Sequence, residues 1–407
     1  MNNSYSTPIG LTSQFSFCGL PFRLDTYAGC ALSCSYCFAR IRGGSADTNK
    51  IRIADSQKII TKFFNAEQSP ESNTGITSEY IRNRTPIHLG GMSDPFQPIE
   101  EKQEVTYRVL KYLCQIEYPI VISTKSTIIG KQKYLDILKT NRNLVVQFSF
   151  STTRDTLSKI LEPYSYDPSE ILKTIELLSS HNINTTVRWQ PYIPNVSESF
   201  EEFISRISST GVKHLGFEHL KLPFEKNGTL WKRLISNINF DINKYYEEND
   251  AKIDGRELIL PPDFKLKNAN QIKKLCTDNN ISFGSADNDI QYLSDYDCCC
   301  SGVDQFKGFE NWNKFQIAHA IKKSNGNQIT FDLIENEWFP KGAIDKHLNS
   351  KSRIPKQLKN HNTVKHYIMD RWENLNSIFN PTTFLGVKFS GLRDKNGIRI
   401  FEWEQTR

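Results

Sequence analysis

Between residues 87 and 260 the chain repeats one rhythm: a short apolar run, a polar loop, then a stretch of helical period. This alternation narrows the fold more than any other feature. The apolar runs are IHLGG (87–91), YPIVIST (118–124), LVVQFSFS (144–151), NTTVRWQPYI (184–193), KHLGFEHL (213–220) and ELILP (257–261). Strands alternating with helices imply parallel pairing through helical crossovers. With FRLDTYAG (22–29) as the first strand, the expected fold is α/β, a partial (β/α)6 barrel over 22–300 after an N-terminal extension at 1–21. A doubly wound sheet stays open, because strand order is not written in a local pattern. In such barrels functional residues gather at the C-terminal ends of the strands. That criterion selects Gly90, Gly91, Ser93 and Asp94, then Ser123 to Ser126 around Lys125, then Ser149 and Ser151, then Arg188 and Gln190.

The loop after the first strand reads YAGCALSCSYCFAR (27–40) and places Cys30, Cys34 and Cys37 within eight residues. Nine cysteines in all, an odd number in a long chain, argue against a disulfide framework and for metal or catalytic use. Four thiolates fill an iron–sulfur cubane, so three leave one iron open for a substrate or cofactor. A local structural zinc site is disfavoured, since no further Cys or His occurs between Cys37 and His88. No apolar run approaches the ~20 residues that span a bilayer, and the first residues lack the basic start and apolar core of a secretory signal. The expected location is therefore cytoplasmic, where thiols stay reduced.

The Cys-x3-Cys-x2-Cys spacing, with Tyr36 before the third cysteine, resembles the signature of radical S-adenosylmethionine (SAM) enzymes. GGMSDPFQPIE (90–100), ISTKS (122–126), FSFSTT (148–153), LEPYS (161–165) and WQPYIPN (189–195) are similar, in order, to blocks of spore photoproduct lyase and its photolyase-like relatives. The resemblance implies the radical SAM type of partial barrel and a [4Fe–4S] cluster held by Cys30, Cys34 and Cys37. It also implies SAM cleaved to a 5′-deoxyadenosyl radical, and an electron donor such as flavodoxin or ferredoxin. Carried over residue by residue, it assigns Tyr36, Gly90, Gly91, Ser93, Asp94, Lys125, Ser149, Ser151 and Arg188 to the SAM site. Lys125 would pair with the SAM carboxylate, and Glu162 would be architectural or ribose-facing. One departure stands out. The lyase keeps a hydrogen-donating cysteine where this chain has Gly91, and glycine has no side chain to return a hydrogen atom.

Cys298, Cys299 and Cys300 stand together in DYDCCCSGVD (295–304). Three readings stay open: an auxiliary cluster shared with Cys18 or Cys276, a hydrogen-atom donor replacing the one absent at Gly91, or packing. Cys114, in helical register with Val109, Leu110 and Leu113, reads as core.

From residue 301 onward the rhythm changes to short helices and a closing hairpin with Asn396-Gly397 at its turn, a winged-helix-like accessory domain over 301–407. That segment holds 17 Lys and Arg against 11 Asp and Glu, so it carries the whole net charge of +6. Lys351, Arg353, Lys356 and Lys359 are the expected phosphate contacts, with Lys388, Arg393, Lys395 and Arg399 on a wing. The sequence thus points to an enzyme acting on DNA or RNA. Its rivals are a radical SAM enzyme that modifies peptides with an auxiliary cluster, and a non-enzymatic iron–sulfur sensor that binds nucleic acid.

Overall fold

The computed structural model describes residues 4–12, 15, 17–41, 50–224, 229–255, 257–297, 300–309, 312, 314–348 and 363–404. Its centre is a sheet of eight strands: β1 (Ile9–Leu11), β2 (Phe22–Leu24), β3 (Ile87–Leu89), β4 (Ile120–Thr124), β5 (Leu144–Phe150), β6 (Asn184–Tyr192), β7 (His214–His219) and β8 (Ser282–Ser285). They neighbour one another in chain order. β2 to β8 pair parallel, while β1 adds antiparallel at the edge. Among the described residues β8 does not pair back to β1 or β2, so the barrel is open, as the alternation predicts.

Each parallel step is bridged by a helix: α1 (Ser56–Gln68), α2 (Val105–Gln115), α3 (Gln132–Leu138), α4 (Pro168–Ser180), α5 (Phe200–Ser208) and α6 (Pro262–Asp278). The chain marks these starts itself. Asp55 accepts from the amides of Gln57 and Lys58 ahead of α1, and Ser199 accepts from Glu202 ahead of α5. Pro168 opens α4, where its fixed φ suits a first turn and no amide is lost.

Alternation along each strand sorts the two faces. Ile120, Ile122, Val146, Phe148 and Phe150 bury outward in the main core, where Trp189 stacks on Phe203 at 3.7 Å. The inward set differs. Leu20, Val121, Val145, Val303 and Phe306 form a small apolar floor in the barrel, with Cys18 packed against it.

Two strand assignments change. ELILP leaves the barrel: Glu257–Ile259 pairs antiparallel with Lys252–Asp254 through a turn at Gly255 (φ +61°) and with Leu222–Pro223. The seventh parallel strand is instead SFGS, β8, a run of small residues with little intrinsic strand preference. It is fixed by pairing with β7, Gly284 opposite Gly216.

The C-terminal unit runs α7 (Ile317–Ser324), β9 (Gln328–Ile329), α8 (Asp332–Glu335), α9 (Val364–Glu373), β10 (Val387–Arg393) and β11 (Arg399–Trp403). Its sheet order is β9-β11-β10, so the last strand lies in the middle, the arrangement of a winged helix. It is packed against the barrel. Phe15 meets Trp338 and Tyr367, Phe17 meets Phe379 and Phe384, and Tyr292 meets Trp403. Three of the wing's four cations are paired. Lys388 pairs with Glu402 and Glu404, and Arg393 and Arg399 both reach Glu373. Lys351, Arg353, Lys356 and Lys359 lie outside the described residues.

Candidate active site

The cysteine loop runs from a short strand, Tyr27–Ala28, to a helical turn, Phe38–Ile41. Gly29 (φ +90°) makes the turn into it. Gln97, fully buried, clamps one side by accepting from the Ala31 amide at 3.0 Å and donating to the Gly29 carbonyl at 3.1 Å. On the other side the amide and hydroxyl of Ser35 both donate to the Leu161 carbonyl, each at 2.9 Å. The sequence blocks after β3 and around Leu161 therefore act as a vice for the loop.

Held this way, the thiols influence one another electrostatically: Cys30 feels Cys37, and Cys34 feels both. Burial pushes the Cys30 thiol up to about 11, Asp94 adds to that, and backbone amides of Asp94 and Leu32 oppose it by donating to the sulfur. Burial likewise raises Cys34. Without a cation, Cys30 and Cys34 stay protonated. Iron would reverse that balance, and the amide donors already face the sulfur. Among the described residues no three metal-binding side chains converge on a single ion. A cubane spaces its thiolates by its own width and does not ask for that. The donor set thus fits a cluster held by Cys30, Cys34 and Cys37.

Beside the loop, Glu162 gathers a buried network. Tyr36 donates its hydroxyl to Glu162 Oε1, and the amide and hydroxyl of Ser151 donate to the same oxygen at 2.8 and 2.7 Å. Lys125 Nζ reaches Glu162 Oε2 at 3.2 Å, Tyr36 Oη at 3.0 Å and the Ser149 carbonyl at 2.6 Å. Burial disfavours the Lys125 charge, but Glu162 and Cys34 outweigh it and hold its pKa above the ordinary value. Asp94 is spent on the amides of Phe96 and Lys125 and the hydroxyl of Thr124, and burial raises it. Ser93 donates to the Tyr27 carbonyl at 2.5 Å.

The two glycines differ. Gly90 (φ +91°) donates to the Leu24 carbonyl, and a Cβ there would lie 2.6 Å from both Pro95 and the Ser123 carbonyl. At Gly91 the nearest atoms to a Cβ would be those of His88, from 3.4 Å, and Arg23 at 3.9 Å, ordinary contact distances. Gly90 is compelled by the turn; Gly91 is not.

Below this ring lies a polar layer that the resemblance alone does not outline. Ser123 donates to Gln147 Oε1 at 2.9 Å, so it accepts from His88 Nε2 at 2.6 Å, which fixes that tautomer. Burial, then Arg188 and Arg23, push His88 down to about 3, so it is neutral. Gln147 in turn donates to the Cys300 carbonyl at 2.7 Å. Cys300 can lie there because Gly216 has no side chain, since a Cβ would sit 2.6 Å from the Cys300 oxygen. Cys18 arrives from the N-terminal segment, and its thiol, pushed up to about 12 by burial and then by Cys300, also feels Arg188.

Arg188, expected near SAM, faces this inner layer with Cys300, Cys18 and Glu218. Cys298 and Cys299 lie outside the described residues. Of the two partners considered for an auxiliary cluster, Cys18 is brought to Cys300, whereas Cys276 is buried in the core on α6. Cys114 is core, as expected. Sequence reading did not single out Arg23, His88 or Gln147, although all three were visible as polar residues at inward positions of apolar strands. For Cys18 no local signal favoured it over Cys276.

Residues 24–207 match the family model of the radical SAM superfamily. An uncharacterized protein of Methanocaldococcus jannaschii is 22% identical over 242 residues, covering 56% of this chain and 87% of the relative. An uncharacterized protein of Mycobacterium bovis is 26% identical over 211 residues, covering 50% of this chain and 60% of that one. Among solved structures, spore photoproduct lyase complexed with dinucleoside spore photoproduct superposes with a TM-score of 0.53 at 13% identity, covering 69% of this chain and 80% of the lyase. A point mutant of the lyase gives 0.52 over the same shares. At that identity the likeness is one of fold. Residues 24–207 thus form a radical SAM domain, and this domain makes the chain an enzyme with a [4Fe–4S] cluster and S-adenosylmethionine as its cofactors.

Proposed function

We propose that this enzyme acts on DNA or RNA, in a photolyase-like repair or modification reaction in the cytoplasm, with flavodoxin or ferredoxin supplying the electron. The observation that carries the reading is the winged-helix order β9-β11-β10 behind α9, packed against the barrel. The basic stretch from Lys341 to Lys365, including Lys351, Arg353, Lys356 and Lys359, supports it by its density of positive charge. With Lys388, Arg393 and Arg399 paired, that stretch is the expected phosphate contact.

Within the barrel, Cys30, Cys34 and Cys37 hold the cluster. When bound, cluster and SAM supply one-electron cleavage of the sulfonium and a hydrogen-abstracting radical. Lys125, positioned by Glu162 and Tyr36, would bring a cation to the SAM carboxylate side, and Gly90 and Gly91 allow close backbone approach. Ser93, Asp94, Ser149 and Ser151 shape the wall through the bonds already described. Of the two described thiols in the inner layer, Cys18 and Cys300, Cys300 would return a hydrogen atom: its S–H breaks as the substrate C–H forms. The resulting thiyl is restored by an electron from the donor protein and a proton.

The test is anaerobic SAM cleavage with separate pools of DNA, RNA and peptides. A nucleic-acid pool is expected to raise 5′-deoxyadenosine formation and to receive deuterium from solvent-exchanged thiol. Stimulation by peptides alone would replace this reading with the peptide-modifying one.

A further inference from the structure

The wall of the barrel beneath the cysteine loop carries two guanidinium groups that its acids do not fully balance. Arg188 gives one bond to Glu218, at 3.3 Å, and Glu218 is shared with Gln190 and with Lys221 at 2.5 Å. The Arg188 Nε–H is buried without a partner among the described residues. Across the layer on β2, Arg23 has one acid nearby, Asp25 at 4.0 Å. Neutral His88 is within electrostatic reach of both arginines and adds no charge of its own. Both cations remain within reach of solvent, with about a fifth of each side chain exposed, 22% for Arg23 and 21% for Arg188. A buried N–H on a charged group costs stability when it goes unanswered.

We propose that Arg188 and Arg23 form an anion subsite inside the barrel that takes a backbone phosphodiester of the substrate, next to the Cys300 thiol. The proposal rests on the reading of the chain as a nucleic-acid enzyme. A phosphodiester suits the geometry better than a carboxylate. Its two non-bridging oxygens diverge from a tetrahedral centre and can be met from two walls, whereas a planar carboxylate is satisfied by one guanidinium fork. The apolar floor of Leu20, Val121, Val145, Val303 and Phe306, with Cys18 packed against it, lies in the same barrel interior. It limits how deep the anion enters and keeps the low dielectric that strengthens the contact.

Binding to full-length, anaerobically purified protein tests this by calorimetry, independently of turnover. The probes are thymidylyl-thymidine, its uncharged methylphosphonate analogue and an acetylated glutamate dipeptide. The phosphodiester is expected to bind roughly tenfold or more tightly than the methylphosphonate, with inorganic phosphate competing. Arg188→Gln should erase the difference, and Arg188→Lys should keep part of it. Equal affinities in the wild type, or tighter binding of the dipeptide, would overturn the subsite even if the variants fail to fold. Should the wild type cleave SAM with nucleic acid yet bind both dinucleosides equally, the subsite alone fails. Should it respond only to peptides, the parent reading fails as well.

Discussion

Two groups of sulfur, made from the same residue, sit one above the other in this barrel and are prepared for different work. Cys30, Cys34 and Cys37 belong to one short loop gripped by Gln97, Ser35 and Tyr36, and Cys30 already receives backbone N–H donors. Cys18 and Cys300 come from opposite ends of the chain and meet over an apolar floor, beside one guanidinium. In both groups burial raises thiol pKa values, at Cys30 and Cys34 above and at Cys18 below. What separates them is geometry. The loop gathers three thiols within eight residues, whereas the lower pair lies beside the Arg188 guanidinium, with Cys18 packed on the apolar floor. Thiol count alone does not announce a metal centre.

The sharpest break of this comparison is an iron count. Replacing Cys30, Cys34 and Cys37 together by Ala should take iron from about four per chain to none and abolish 5′-deoxyadenosine formation. Cys300→Ala should leave the iron count unchanged. Iron lost on removal of Cys300 would instead place an auxiliary cluster in the lower group and favour the peptide-modifying rival.

A second contrast tests the wall between the two groups. Gly90→Ala should cost at least about 2 kcal/mol in urea unfolding, because it adds a positive-φ penalty to overlap with Pro95 and the Ser123 carbonyl. Gly91→Ala should stay within about 1 kcal/mol of the parent. If the two variants were equally destabilised, Gly91 would be structural and its lack of a donor side chain would say nothing about the reaction.

The smallest effect concerns pH. Burial raises Asp25 to about 6, against the pull of Arg23 and of the Met92 and Ser93 amides. The folded value lies above the ordinary one near 4, so folding takes up a proton. This group's contribution is then fully present below about pH 4 and is lost as pH rises towards 6. Asp25→Asn, which keeps an oxygen for the Met92 amide, should remove that decline and gain on the order of 1 kcal/mol at pH 7.5 relative to pH 4.5. Parallel pH profiles for the two proteins would show that Asp25 is not the group responsible.

Much of the molecule could be read locally. The alternation of IVIST and LVVQFSF with amphipathic helices fixes strand and helix, because burial on one face imposes a period on the chain. The spacing of Cys30, Cys34 and Cys37 fixes a three-thiol loop, since so short a stretch of backbone leaves those sulfurs little choice of neighbour. Tyr36 and Lys125 were visible at the ends of their segments, although their meeting on Glu162 was not. The tertiary structure decided the rest. It placed SFGS in the barrel and ELILP outside it, because pairing partners outrank weak intrinsic preference. It turned Lys388, Arg393 and Arg399 towards Glu373, Glu402 and Glu404, and it carried Cys18 to Cys300. Periodicity and spacing act over a few residues, whereas which charge is answered and which thiol has company depend on segments far apart in the chain.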